Sequence, residues 1–221
     1  MSLIIVDEFH HAAANSYQKL FQYFRPQFFL GLTATPFRTD NRDILGLCDD
    51  NIIYEIYLRD SINRGYLVPF SYYGFYDETD YSVIPYQNGS YQLDILELAL
   101  SNEKRSKLVM EKYKQYAGEK VIGFCAGIKH AEFMAEFFTT YKIPACVTHS
   151  GSSLSKHFVE RSHAISGLKL GTFQVVFCVD LFNEGVDIPE IDTVLFLRPT
   201  ESTVVFLQQL GRGLRKYEGK A

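Results

Sequence analysis

Leu3-Ile4-Ile5-Val6-Asp7-Glu8-Phe9-His10-His11 is the stretch on which the reading of this chain turns. Four apolar residues, three of them β-branched, run straight into two acids and two histidines. Such a run predicts a strand buried on both faces, the kind found in parallel sheets. In open α/β sheets, ligands sit just beyond the carboxyl ends of the strands. Asp7, Glu8 and His10 are therefore expected on a functional edge.

The chain has 221 residues, 47% of them hydrophobic, enough for one large domain or two small ones with real cores. Its formal net charge of -4 argues against a wholesale basic nucleic-acid binder and leaves open a basic groove on an acidic body. Cys48, Cys125, Cys146 and Cys178 hold no CxxC spacing. They predict buried, reduced thiols in an intracellular, cytoplasmic protein. No stretch approaches the ~18 apolar residues of a membrane span, and the start lacks the basic n-region of a signal peptide.

Working outward, residues 11–24 read as a helix ended by Arg25-Pro26, and 27–32 as a second buried strand that closes in Thr33-Ala34-Thr35-Pro36. Residues 37–50 read as polar loop and short helix. Alternation predicts a strand over 51–58, residues 60–65 read as a short helix capped by Gly65, and 68–76 reads as a further strand. Asn88-Gly89 between Tyr-bearing flanks predicts a hairpin turn. Beyond it, strands over 121–124, 145–149, 173–179 and 193–197 alternate with helices over 94–100, 101–116, 129–141, 156–168 and 202–215. Asp94 with Glu97 reads as a capping box and Ser202 as an N-cap. The alternation predicts an α/β fold with a parallel sheet flanked by helices. The expected division is 1–76, a connection over 77–93, and 94–221.

Four segments carry chemistry. Asp7 at a strand end can hold Mg²⁺ through water, while Glu8 beside it orients or deprotonates an attacking water. Solvated acids at a strand exit are the plain alternative. Zinc on His10 and His11 is another, although the HExxH order is absent. Thr33 and Thr35 emerge on the same sheet edge as Asp7 and can bond to the acidic cluster, or simply cap a turn. In Asp180-Leu181-Phe182-Asn183-Glu184-Gly185-Val186-Asp187-Ile188-Pro189, Gly185 permits close backbone approach to a ligand and Asp187 can accept a ribose hydroxyl. In Gln208-Gln209-Leu210-Gly211-Arg212-Gly213-Leu214-Arg215, two arginines three apart share a helical face and match the oxygens of a triphosphate. The glycines there weaken an ordinary basic helix end.

In this order the four segments resemble motifs II, III, V and VI of superfamily 2 helicases and translocases of the DEAD/DEAH type. Phe124-Cys125 with Ile128-Lys129-His130-Ala131 resembles their motif IV region. The nearest likeness is to the DExH branch that includes type III restriction-enzyme motors and transcription-repair helicases. The resemblance implies a RecA-like parallel sheet, ATP with Mg²⁺ on Asp7, and Glu8 acting on the attacking water. It implies that His10 couples the ATP site to Gln208, that Thr33 and Thr35 transmit nucleotide state, and that Gly185 and Asp187 lie at the phosphate and ribose. Arg212 and Arg215 become arginine fingers. Gly127, Lys129, Ser150, Thr200 and Ser202 become candidate contacts to a nucleic-acid strand, each with a helix cap as the plain alternative.

One departure matters. The GxxxxGK(S/T) phosphate loop that the family carries before motif II does not occur; Gly213 to Lys220 has the wrong spacing. The expectation is a piece running from motif II through motif VI: the tail of a first RecA-like lobe and most of a second, inactive alone and completed by an upstream segment of the same parent. Nucleic acid, DNA ahead of RNA, is the expected track, with a nuclease or methyltransferase subunit as a further partner and no membrane. The alternative class is a non-catalytic nucleic-acid-binding or adaptor module with the same architecture.

Overall fold

The strands form where apolar runs meet neighbours on both sides, and the chain supplies those neighbours unevenly. The computed structural model describes residues 3–12, 14–34, 44–151, 154–179, 188–200 and 202–220. The chain divides into two units, Met1–Asp60 and Ser61–Ala221.

In the first unit, β1 (Leu3–Val6) pairs in parallel with β2 (Phe28–Gly31), from Leu3 opposite Phe28 to Val6 opposite Gly31. A parallel pair needs a crossover, and α1 (Asn15–Phe24) provides it. Arg25, left-handed at φ 41, donates its amide to Phe21 and ends the helix before Pro26. Val6, Phe9, Ala12 and Ile44 make the core, with Phe21 and Phe29 against them. The expectation that β1 is buried on both faces is corrected: Leu3 and Ile5 are 47% and 56% exposed. Among the described residues, β2 is the single strand paired with β1, and the core covers one face.

The predicted strand over 51–58 does not form. Those residues are irregular up to α2 (Leu58–Asn63), with Ile53, Tyr54 and Tyr57 exposed. Their apolar and aromatic content suits a strand, but a strand also needs a ladder partner for its backbone. Residues 68–76 are irregular as well. There Pro69 removes a donor, and the Val68 amide bonds instead to the carbonyl of Leu214.

The second unit opens with the hairpin β3 (Tyr86–Gln87) and β4 (Ser90–Tyr91), turned by Asn88 and Gly89 at φ 53 and 78, as the sequence predicts. After α3 (Leu93–Leu100) and α4 (Glu103–Tyr116) come β5 (Val121–Phe124), α5 (Ile128–Thr140), β6 (Ala145–Thr148), α6 (Arg161–Leu170), β7 (Val175–Cys178), β8 (Thr193–Phe196) and α7 (Thr203–Gly213). The sheet is parallel throughout, in the order β6-β7-β5-β8. Period-2 alternation splits its side chains. Val121, Ala145, Val147, Val175 and Phe177 pack with Met134, Ala135 and Phe138 of α5. Ile122, Phe124, Cys146, Val176 and Cys178 pack with Ala164 and Leu168 of α6.

The segment over 77–93, expected as the connection between the two parts, packs on this unit. Ile84 is buried with Leu96, Leu100 and Ala126, and Asp77 pairs with Arg105. Cys125, Cys146 and Cys178 are buried free thiols, whereas Cys48 is only half-buried; burial pushes the Cys146 thiol up to about 12. Among the described residues no helix is long and apolar enough to cross a membrane.

Candidate functional site

Because β1 and β2 are parallel and in register, both end on the same edge, and the residues after them meet there. Asp7 and Glu8 follow β1 directly, and Thr33 follows β2 after one residue. Leu32 donates its amide to Val6 O, and Phe9 donates to Leu32 O, both at 2.8 Å, so the ladder continues past the strands. Glu8 is left-handed at φ 49, ψ 46, a conformation that costs a non-glycine residue about 1–2 kcal/mol. Its amide is held by Asp7 Oδ1 at 2.9 Å. The ring of Phe9 lies over Gly31, where a Cβ would come within 2.5 Å of it. Close approach of Phe9 thus requires glycine at position 31 and holds the turn from beneath.

That turn brings the Glu8 carboxylate back to His10, 3.4 Å from Nδ1, while Thr33 Oγ1 stands 3.2 Å from the same nitrogen. His10 is buried, and the Glu8 side chain is 41% exposed. With its proton on Nδ1 the imidazole donates toward these oxygens; with the proton on Nε2 it accepts from Thr33. Glu8, His10 and Thr33 therefore form one chain from a solvent-facing carboxylate to the exit of the neighbouring strand. The hydroxyl of Thr33 reaches the acids through His10 and not directly. The rings of His10 and His11 lie against each other, centroids 4.2 Å apart. Among the described residues no three His, Cys, Asp or Glu side chains gather as a metal-binding group.

In the second unit the carboxyl ends of the strands again share one edge. From β5 come Gly127 and Lys129, from β6 Ser150, and from β8 Thr200 and Ser202. Thr35, Gly185 and Asp187, with the rest of the 180–187 loop, lie outside the described residues. Glu97 of α3 occupies the start of α5: Oε1 accepts from the amides of Lys129 at 2.8 Å and His130 at 3.4 Å. Glu97 lies over Gly127, where a Cβ would run into its carboxylate. The Asp94–Glu97 capping box is thus corrected: Gln92 is the N-cap of α3 and makes no side-chain cap bond, because Glu97 caps a different helix. The α5 terminus, a natural anion site, carries an internal carboxylate, and Ile128 and Lys129 are exposed there. Ser150 is exposed. The buried hydroxyl oxygen of Thr200 has no hydrogen-bond partner. Ser202 Oγ accepts from the Val205 amide and caps α7.

Along α7, Gln208 and Arg212 are four apart and share a face. Gln208 is half-buried and Arg212 only 8% exposed. The expected shared helical face of Arg212 and Arg215 is corrected: α7 ends at Gly213 with Leu214 as its C-cap, so Arg215 stands beyond the helix, half-buried. Packing sets this end, since a Cβ on Gly213 would touch Val194 of β8 at 3.0 Å.

The sequence reading missed the polar cluster beneath this edge. Arg105 donates from Nε to Asp77 at 2.6 Å and from Nη2 to Leu197 O at 3.0 Å. Burial raises the Asp77 carboxyl, but the Arg105 and Thr79 hydrogen bonds outweigh it and hold it below the usual value. His130, fully buried, accepts the Ala126 amide on Nδ1. Burial first, and the Arg105 charge second, push its pKa down to about 3. The available signal was an acid, Glu97, inside the apolar stripe of Leu96 and Leu100.

Residues 103–217 match the helicase conserved C-terminal domain, and residues 1–38 match the type III restriction enzyme res subunit. The chain is 32% identical over 216 residues to a 51.5 kDa protein of Lactococcus phage (isolate 7-9), covering 97% of this chain and 46% of that one. It is 27% identical over 230 residues to IRC3 of Saccharomyces cerevisiae, assigned by name to the ATP-dependent helicases, covering 100% of this chain and 33% of that one. Among solved structures, a fragment assigned to the HsdR subunit of a type I restriction enzyme from Vibrio vulnificus YJ016 matches with a TM-score of 0.68. That match has 24% identity over 99% of this chain and 41% of the other, and speaks for the fold. The chain spans between a third and a half of the length of these curated relatives. The sheet is RecA-like, the C-terminal domain model covers more than half of the residues, and the chain belongs to the helicases by that domain.

Proposed function

We propose that this chain is part of an ATP-driven nucleic-acid helicase or translocase and carries the second half of its motor. The observation that supports this most is the Glu8–His10–Thr33 chain on the edge of a parallel strand pair. Glu8, exposed and braced by a strained turn, orients and deprotonates the water that attacks the γ-phosphate. His10 and Thr33 pass the protonation and contact state of Glu8 to the exit of β2. Arg212 and Arg215 answer the same nucleotide as arginine fingers, worth about 10³–10⁵ in rate in this chemistry. Gln208, one turn before Arg212, is the partner expected for His10, and Gly185 and Asp187 serve phosphate and ribose.

The donor set suits Mg²⁺, which prefers oxygen ligands and one or two carboxylates with water completing the shell. Asp7 is exposed, and only its Oδ1 is drawn to a backbone amide. Asp7 would hold the ion, which neutralises charge on the phosphate oxygens when bound. Lys129, Ser150 and Thr200 are proposed to face the nucleic-acid strand along the C-terminal edge of the second sheet. The lobe division expected at 1–76 and 94–221 is proposed with residues 61–93 fastened to the latter.

The test is nucleic-acid-stimulated ATP turnover by the parent polypeptide, upstream segment included. Glu8→Gln is expected to lower it at least about a hundredfold, with nucleotide binding retained. Intact turnover in that variant would remove Glu8 from the chemistry. The chain as it stands here is expected to show no such turnover, and a robust rate abolished by Arg212→Ala would overturn its reading as half a motor.

A further inference from the structure

The irregular run over 68–77 touches α7 and its approaches at three separate places. At the far end of the helix, the Val68 amide donates to the carbonyl of Leu214, the C-cap, at 2.9 Å. In the middle, the Tyr72 ring meets Phe206 edge-on, centroids 6.5 Å apart, and Phe206 in turn lies on Phe196 of β8 at 4.9 Å. At the near end, Asp77 grips Arg105, whose other nitrogen holds the carbonyl of Leu197, where β8 exits toward Ser202 and α7. The run also meets α4: Tyr73 stacks on Tyr116 at 4.3 Å, and Lys112 sits over Phe75 at 5.2 Å. The run thus meets both α7 and α4 from the surface, with Tyr72, Tyr73 and Phe75 65%, 53% and 45% exposed.

The fastening is more specific than stability requires. Arg105 is buried and the Asp77 side chain is 20% exposed. Desolvating such a pair offsets much of its attraction, so an apolar contact would hold the segment equally well. What an ion pair forked onto a backbone carbonyl adds is register: it fixes which residue of the run stands at which turn of α7. This same run follows α2, the element in which the chain leaves the first unit for the second.

We propose that residues 68–77 form a strap that positions α7, the helix bearing Gln208 and Arg212. Val68, Tyr72, Asp77 and Arg105 are positioning residues; none touches nucleotide. The proposal rests on the motor reading above and adds to it the route by which α7 is set.

Two measurements on the full-length parent test it. In Asp77→Asn and Tyr72→Ala, the ratio of nucleic-acid-stimulated to unstimulated ATP turnover is expected to fall at least about fivefold, the low end of ordinary site-to-site coupling. The unstimulated rate stays within about twofold, and Tyr72→Phe, which keeps the ring, keeps the ratio. Hydrogen exchange of the α7 amides is expected to quicken in the same two variants while β5 and β7 are unchanged. An unchanged ratio, or unchanged exchange along α7, overturns the strap. Absence of stimulated turnover in the unmodified parent would instead overturn the motor reading, and the exchange measurement would still decide whether the strap holds α7.

Discussion

Strands β1 and β7 are equal in length and nearly equal in apolarity, Leu-Ile-Ile-Val against Val-Val-Phe-Cys, yet they meet different environments. Every residue of β7 is buried. It has β6 and β5 on its flanks, α5 against one face and α6 against the other. In β1 only Val6 is buried, and the face carrying Leu3 and Ile5 is open. An apolar run therefore states a demand for cover, and the neighbours decide whether it is met. The same contrast holds for function. The first unit sets its candidate acids by backbone strain over a two-stranded edge, whereas the second sets its candidate arginines on a helix packed against a four-stranded sheet.

The sharpest way to break this comparison is to cut one side chain from each strand. Phe177 is fully buried against Phe138 at 5.0 Å, and Phe177→Ala is expected to cost about 3–5 kcal/mol. Ile5→Thr keeps the β-branch on an open face and is expected to stay within about 0.5 kcal/mol. Urea unfolding followed by tyrosine fluorescence measures both. A cost for Ile5→Thr comparable with that of Phe177→Ala would mean that the outer face of β1 is covered in the protein, and the contrast would collapse.

A smaller effect separates the two sites by what braces them. Gly127 is extended at φ -160, open to any residue, so the cost of Gly127→Ala comes from displacing the Glu97 carboxylate. It is expected at about 1–3 kcal/mol. Adding Glu97→Ala removes the obstacle, so the double variant should fall short of the sum by more than about 0.5 kcal/mol. Strict additivity would show that Glu97 does not fill that space. Gly31→Ala is the counterpart in the first unit. It meets the Phe9 ring and is expected to shift the His10 imidazole resonances together with a stability loss of similar size.

Legibility in the sequence followed the same division. The interior strands were readable because double cover leaves uninterrupted apolar runs: Val121–Phe124 matches its predicted span end to end. Asn88-Gly89 announced its hairpin by local backbone chemistry alone. The runs over 51–58 and 68–76 misled, since their Ile, Tyr and Phe content reports a side-chain preference but not the presence of a ladder partner. The Glu8–His10–Thr33 chain was half legible: parallel pairing predicted that the two strand ends would meet, but not that His10 would stand between the hydroxyl and the acid. Glu97 capping α5 and Arg105 bridging Asp77 to Leu197 were hidden, because each joins residues 28 to 92 positions apart with no motif to mark them.

The least conspicuous member of that hidden cluster gives the finest test. His130 is buried with its pKa pushed down to about 3, against 6.5 in the unfolded chain. The groups facing it are the Arg105 guanidinium from α4, which adds to the depression, and the Glu97 carboxylate from α3, which holds its amide. Between those two values the unfolded state binds a proton that the folded state refuses. Stability contributed by neutral His130 is therefore fully present above pH 6.5 and is lost as pH falls toward 3, by at most about 1.4 kcal/mol per pH unit. Asp77, whose carboxyl is lowered from 3.8, loses its contribution only as pH drops below that value, so the window from pH 6.5 to 4.5 separates His130 from Asp77. Urea midpoints of the second unit should decline across it. In His130→Asn, which keeps an acceptor in the Nδ1 position for the Ala126 amide but cannot titrate, the decline should flatten; an equal slope in both proteins would mean that another group carries the acid sensitivity of this lobe.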